Sequence, residues 1–385
     1  MPKPMRLGAG VQQKEIERGR GPAQSQGAIG VMKSGQGNTL ERLKQIYEQP
    51  LLELVYQAQT LHRQHPRSPK IQKCALLSIK TGGCPEDCAY CAQSARYQTG
   101  VKPQPLMAVE QVLERAREAK RLGATRFCMG TAWPRTPRGR TFERILEMIR
   151  GIRRIGLEAC VTLGALSEEQ AQALKHAGLT SYNHNLDTSR RFYPRIVSTH
   201  SYDQRLATIR AVLRAGLSLC CGCIIGMGEA EEDRLMFLQE LLNLPRPPDS
   251  IPINCLVPIP GTPLAERAKP VEPFELVRLI ATTRITFPQA RVRLSAGRAG
   301  MSRELQALCF LAGADSVFFG QKLLTAPNQP VDEDAKLFKE LGVADQAEVD
   351  MDECGPAACA AKQSAASNDF AQVAACEMER SGGKT

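Results

Sequence analysis

Between residues 40 and 342 the chain alternates short, almost wholly apolar runs with longer segments whose apolar residues recur every three or four positions. Short apolar runs bounded by turn residues suit strands buried on both faces, and the longer spacing suits helices with one face on a core. The pattern predicts strands at 75–79, 125–129, 158–163, 181–186, 218–225, 251–257, 291–295 and 316–319. It predicts helices at 109–122, 142–155, 167–177, 202–215, 230–242, 273–286 and 302–312, and a helical lead over 40–64 that packs outside the first strand. Eight such units predict an α/β fold, a TIM-type (β/α)8 barrel; a doubly wound open sheet would need a reversal point that the order of elements does not show. Residues 1–39 hold eight glycines with little periodicity, and 343–385 form an Ala-rich tail with eight acidic and three basic residues. Both are predicted to be flexible extensions of a barrel domain spanning 40–342.

Composition narrows the class. Lys and Arg total 50 against 40 for Asp and Glu, giving +10, but the excess is scattered along amphipathic helices and reads as solvated surface rather than a nucleic-acid site. Fourteen cysteines without an N-terminal apolar segment fit a reducing compartment better than a disulfide framework. A cytoplasmic location follows. The alternative is a mitochondrial presequence in the basic, Gly-rich start, against which Glu15 and Glu17 count. No apolar run approaches the roughly 18 residues that a bilayer span requires.

Directly after the first predicted strand, Cys84, Cys88 and Cys91 lie within eight residues on a loop flanked by Gly83 and Pro85. A structural zinc site takes four ligands, usually from two knuckles, and the other Cys-x-x-Cys, Cys220 to Cys223, reads as strand. Three thiolates instead leave one iron of a 4Fe-4S cluster open to a substrate or cofactor. The blander readings are three reduced thiols, or a zinc site completed from far away. Cysteines recur in later strands as Cys128, Cys160 and Cys220. Each alone suits core packing, whereas together they can point into one lumen, with a fourth position from the strand carrying Arg293. A buried ion pair is the alternative for Arg293. If Cys220 faces the lumen, alternation turns Cys221 and Cys223 toward the helices. Cys74, Cys255 and Cys309 read as core, while Cys354, Cys359 and Cys376 in the tail have no assigned part. Asn185 and Asp187, two apart at a strand end, share a face that can bind ureido or ribose groups or simply cap the strand; His184 between them faces away.

The Cys-x-x-x-Cys-x-x-Cys spacing resembles the signature of the radical S-adenosylmethionine superfamily. There the open iron chelates the amino and carboxylate groups of the cofactor. Tyr90 matches the aromatic residue beside the adenine, and the stretch from Gly222 through Gly226 to Glu229 is similar to the one that packs on it. The runs 76–84, 125–130, 182–188, 292–298 and 322–325 resemble the biotin synthase family, a likeness covering roughly residues 40–342.

This resemblance implies that Cys128, Cys160, Cys220 and Arg293 ligate a 2Fe-2S cluster, and that Asn185 lies between cofactor and substrate. It gives Asp187 the ribose, Arg205 the cofactor carboxylate, and Asn254 and Thr325 substrate contacts. It implies sulfur insertion into dethiobiotin by a 5'-deoxyadenosyl radical, the 2Fe-2S cluster being the sacrificial sulfur source. Implied partners are a flavodoxin or ferredoxin as electron donor, the iron-sulfur assembly machinery and a second copy in a homodimer. The rivals are another radical enzyme of related barrel type, such as a lipoyl synthase or mutase, and a non-catalytic iron-sulfur or zinc module.

Overall fold

Nine parallel strand segments wind in chain order around one axis and close on themselves. In the computed structural model, which describes residues 39–64 and 70–343, they are β1 (Gln72–Lys80), β2 (Arg126–Thr131), β3 (Glu158–Thr162), β4 (Ser181–Asn183), β5 (Ser218–Cys220), β6 (Cys223–Ile225), β7 (Ser250–Cys255), β8 (Arg291–Leu294) and β9 (Ser316–Phe319). The extension before residue 39 and the tail cysteines Cys354, Cys359 and Cys376 lie outside the described residues. Hydrogen bonds run in the order β5-β4-β3-β2-β1-β9-β8-β7-β6, and Cys220 of β5 pairs with Ser250 of β7 to close the ring.

Segments β5 and β6 are two halves of the single predicted strand 218–225. They separate at Gly222, where an added Cβ would lie 2.1 Å from the Pro252 carbonyl oxygen, so only glycine permits the two backbones to approach this closely. Its N–H leaves the ladder and donates to Asn185 Oδ1 at 3.0 Å. With the two halves counted as one stave, the barrel has the eight staves expected.

The helices between strands are α3 (Val109–Arg121), α4 (Arg140–Ile155), α5 (Glu168–His176), α6 (Tyr202–Arg214), α7 (Glu231–Leu242), α8 (Pro273–Thr286) and α9 (Arg303–Leu311). Local chemistry sets several starts. Ser167 accepts from Gln170 N while the Gln170 side chain accepts from Ser167 N, and Ser201 and Gln204 repeat this reciprocal cap on α6.

The helical lead is two helices, α1 (Thr39–Tyr47) and α2 (Leu51–Arg63), because Pro50 cannot continue the first and begins the second. They pack outside the barrel, α2 on α8 and α1 on α7 and α8. A final helix, α10 (Val331–Glu340), was absent from the pattern reading, although Pro330 and the acidic first turn Asp332, Glu333 and Asp334 mark its start. Among the described residues no helix is long and apolar enough to cross a membrane.

Parallel register fixes which side chains share the lumen. Cys74 pairs with Arg126, Leu76 with Cys128, Cys128 with Cys160, Asn183 with Cys220, and Arg293 with Ser316. Period-two alternation then places Cys74, Cys128, Cys160, Cys220 and Arg293 on the inner face. His184, Cys221 and Cys223 fall on the helix side.

Candidate functional site

The loop after β1 is held at both ends. Gly82 and Gly83 turn it with φ of 66° and 68°, and Gly82 N donates to Gln93 Oε1 at 3.1 Å. Cys84 N donates to Gln93 O, Ala95 N to Cys84 O, and Cys91 N to Cys88 O, which wraps the three thiols around one short turn. From across the barrel mouth, Ser198 N and Thr199 N donate to Asp87 Oδ1 at 2.9 and 3.1 Å, and Ala89 N donates to Ile196 O at 2.8 Å. Burial pushes Cys88 up to about 12 and also raises Cys84 and Cys91. Such thiols stay protonated until a metal takes the proton's place, as a preformed ligand set requires.

Beside this loop, Tyr90, Asp187 and Arg205 form one connected group. Tyr90 OH donates to Asp187 Oδ2 at 2.8 Å, and Arg205 Nη2 lies 3.1 Å from the same oxygen. Arg205 also donates to Asn185 O and to Tyr193 OH. Asp187 has φ 66°, the one positive value at a non-glycine among the described residues. That backbone costs on the order of 1–3 kcal/mol and persists only where surroundings enforce it. Here they do: Asp187 N donates to Gly222 O, and Ile224 N to Asp187 O at 2.7 Å.

The remaining expected contacts gather at the strand ends. Asn254 donates to Cys223 O at 2.8 Å and accepts from Ala296 N, tying three staves together. Gly226, with φ 90°, opens a turn in which Glu229 accepts from Gly226 N and Met227 N. Thr325 lies in the loop after β9, where Leu324 covers Gly130 so closely that a Cβ there would meet it at 2.5 Å.

Deeper in the lumen lies a polar floor. Cys74, Cys128 and Cys160 pack as one buried cluster. Arg293 is 1% exposed and donates from Nε to Ser316 Oγ at 3.0 Å, from Nη1 to Cys220 Sγ at 3.6 Å and from Nη2 to Cys74 Sγ at 3.3 Å. Asn183 Nδ2 is 3.2 Å from Cys220 Sγ. Arg126 donates to Glu158 Oε2 at 2.7 Å. Two guanidinium groups against one carboxylate leave the floor cationic, which suits thiolates and an anionic cluster.

The buried atoms Arg126 Nη1 and Ser250 Oγ have no hydrogen-bond partner. Unpaired polar atoms this deep are expensive, and they are accounted for where a bound group completes them. No three His, Cys, Asp or Glu side chains among the described residues close on one point as for a single ion. A cluster spreads its ligands over several irons, so the donor types and their wider spacing fit iron-sulfur groups.

Cys74 is core as expected, fully buried with Cys128 and Cys160 on the lumen side of β1, where its sulfur accepts from Arg293 Nη2. The charges of Arg293 and Arg126 and a hydrogen bond from Cys128 outweigh burial and lower its pKa. Cys309 is core as expected, while Cys255 is partly exposed.

Residues 78–241 match the Radical SAM superfamily model, and residues 252–344 match the Biotin and Thiamin Synthesis associated domain. Biotin synthase of Synechococcus sp. (strain JA-3-3Ab) is 56% identical over 304 residues, which is 79% of this chain and 98% of that protein. The chain belongs to the biotin synthase family. A biotin synthase of Escherichia coli O6:K15:H31 is 53% identical over 308 residues, 80% of this chain and 88% of its own. Methylornithine synthase shares the fold with a TM-score of 0.67 at 16% identity, over 83% of this chain and 97% of its own. Membership in the biotin synthase family agrees with the barrel, and the superfamily match spans the cysteine loop at residues 84–91. Of the floor residues, Arg126 and Asn183 lie within the family-like runs but were given no role, and Gln72 and Ser316 lie outside them; their place on the floor emerges only from register.

Proposed function

We propose that the biotin synthase activity of this chain runs on two iron-sulfur sites in one lumen, a 4Fe-4S cluster on the 84–91 loop and a 2Fe-2S cluster on the floor. Family membership makes the protein a radical S-adenosylmethionine enzyme acting on dethiobiotin, and brings S-adenosylmethionine and the 4Fe-4S cluster with it. When bound, these groups supply an electron, a 5'-deoxyadenosyl radical and, from the inner cluster, the sulfur.

The chain's own residues bind, orient and seclude. Cys84, Cys88 and Cys91 hold three irons and leave the fourth for the cofactor's amino and carboxylate groups. Tyr90 and Gly226 flank the adenine, Asp187 takes the ribose, and Arg205 faces the cofactor carboxylate. Supporting this, Tyr90, Asp187 and Arg205 are already joined by hydrogen bonds beside the loop. Asn185 stands between cofactor and substrate, on the face that Asn183 links to Cys220. Asn254 and Thr325 complete the substrate wall at the strand ends. Cys128, Cys160, Cys220 and Arg293 form the inner site, and barrel closure keeps bulk water from a short-lived radical.

The observation that carries this reading is Arg293 donating to Cys220 on a floor where Cys128 and Cys160 are paired in register. An external flavodoxin or ferredoxin as electron source, iron-sulfur assembly machinery as supplier and a homodimer belong to the same proposal. Iron and sulfide content with the absorbance spectrum of anaerobically reconstituted protein tests it. Six irons per chain support two sites; four irons, with no 2Fe-2S absorption, overturn the inner one.

A further inference from the structure

Between Cys84 and Cys88 the loop carries two carboxylates, Glu86 and Asp87. Negative charge beside three thiols is unfavourable once those thiols become thiolates, so the pair calls for a reason. Both side chains reach across the barrel mouth to one segment, residues 196–200. Asp87 Oδ1 accepts from Ser198 N at 2.9 Å, Thr199 N at 3.1 Å and Thr199 Oγ1 at 2.9 Å, and Oδ2 accepts from Ser198 Oγ. In return Asp87 N donates to Thr199 Oγ1 at 3.2 Å. Glu86 Oε2 lies 2.8 Å from His200 Nδ1.

Segment 196–200 runs directly into α6, which Ser201 caps and which carries Arg205 in its first turns. Arg205 donates to Tyr193 OH, and the Tyr193 ring meets His200 edge-on with centroids 6.0 Å apart. The cysteine loop follows β1, whereas this segment follows β4, and those strands are separated in the sheet by β2 and β3. No strand ladder therefore sets the loop against α6. The ties are the Asp87 and Glu86 contacts, Ala89 N donating to Ile196 O, and Tyr90 OH donating to Asp187. Among the described residues of the loop, Asp87 makes the most of them.

We propose, resting on the reading of residues 84–91 as the 4Fe-4S loop, that Asp87 is a positioning residue for the cofactor. It latches the cysteine loop to segment 196–200 and so fixes the spacing between the cluster site and Arg205, the two grips on the amino-acid end of S-adenosylmethionine. Its carboxylate is spent on the segment, and it acts through those two grips. Spacing matters because a misplacement of about 1 Å can cost on the order of 10²-fold. The latch works by geometry rather than by charge. Three of its four accepted bonds fall on one oxygen, which an amide oxygen can replace, and the Ser198 hydroxyl can turn to accept from an amide nitrogen.

Full-length protein, reconstituted anaerobically with its iron measured, is titrated with S-adenosylmethionine as the parent and as Asp87→Ala, Asp87→Asn and Thr199→Val. The readout is the change that the cofactor causes in the electron paramagnetic resonance signal of the one-electron-reduced loop cluster. Half-saturation should need roughly tenfold more cofactor in Asp87→Ala. It should need about threefold more in Thr199→Val, which removes one hydroxyl from the far side of the latch, and Asp87→Asn should stay near the parent. Parent-like saturation in Asp87→Ala with the loop cluster fully loaded overturns the proposal. Saturation in Asp87→Asn as weak as in Asp87→Ala also overturns it, because the effect then follows the charge. If Asp87→Ala does not load the loop cluster, Thr199→Val decides, since it leaves the loop sequence intact, and parent-like saturation there overturns the latch. If the parent's own signal does not respond to the cofactor, the reading of residues 84–91 fails and takes this inference with it.

Discussion

The Tyr90 hydroxyl donates to Asp187 Oδ2 at 2.8 Å, which ties the residue before the third loop cysteine to the single strained non-glycine backbone among the described residues. Asp187 is 3% exposed, and Arg205 is its cationic partner. The cysteine loop, the fourth stave and α6 thus meet at one carboxylate.

Asp187→Asn keeps a residue that tolerates a left-handed backbone but leaves Arg205 buried without its counter-charge. Breaking a buried pair from one side costs roughly 3–5 kcal/mol. Chemical denaturation should show a loss of that order, and Asp187→Asn with Arg205→Met should recover part of it. Tyr90→Phe removes one hydrogen bond to the carboxylate and should cost about 1–3 kcal/mol. Equilibrium dialysis should show weaker S-adenosylmethionine binding in both single variants.

Replacing Cys84, Cys88 or Cys91 with Ala is expected to abolish S-adenosylmethionine cleavage while sparing the fold. The loop's backbone bonds to Gln93 and Ile196 do not use the thiols. Chromatographic measurement of 5'-deoxyadenosine checks this, with circular dichroism as the folding control. Production at the parent rate would remove that cysteine from the ligand set.

Cys221 and Cys223 should be dispensable for the inner cluster. Burial raises both thiols, and both lie on the helix side of the stave. Cys221→Ser with Cys223→Gly should leave the 2Fe-2S spectrum intact, whereas Cys220→Ala should not. Loss of the cluster in the double variant would mean that the lumen register differs by one residue.

His184 gives a pH signature. Burial, reinforced by the charges of Arg205 and His200, lowers its pKa well below 6.5, so the folded protein keeps the ring neutral. The unfolded chain protonates it below about 6.5, which means stability is lost as pH falls from roughly 7 to 5. Measured unfolding free energies should fall less steeply over that range in His184→Gln. Equal slopes would show that other groups carry the acid sensitivity.

Much of the barrel was legible because buried strands and one-sided helices leave different periods. The cysteine loop stood out because three thiols in eight residues have few other uses, and the superfamily match over residues 78–241 spans it. The break at Gly222 was not, since it depends on how near Pro252 O approaches, a contact between two staves. Which side of β1 the core residue Cys74 faces was not legible for a related reason. Alternation within one strand gives only relative facing, and its side was fixed by pairing with Arg126 and Phe318. Asn185 and Asp187 were correctly put at a strand end, but the left-handed turn between them and β6 carries no residue pattern.

The central claim is that the floor of the lumen holds the sulfur that enters the product. An electron-transfer cluster has no need of a lumen position against the substrate, whereas a carbon radical must meet its trap within contact distance. Protein whose inner site is rebuilt with isotopically heavy sulfide should be given dethiobiotin and S-adenosylmethionine for one turnover, and the biotin and remaining cluster measured. Heavy sulfur in the biotin together with loss of the 2Fe-2S absorbance is the predicted result; light sulfur with that absorbance intact would contradict it.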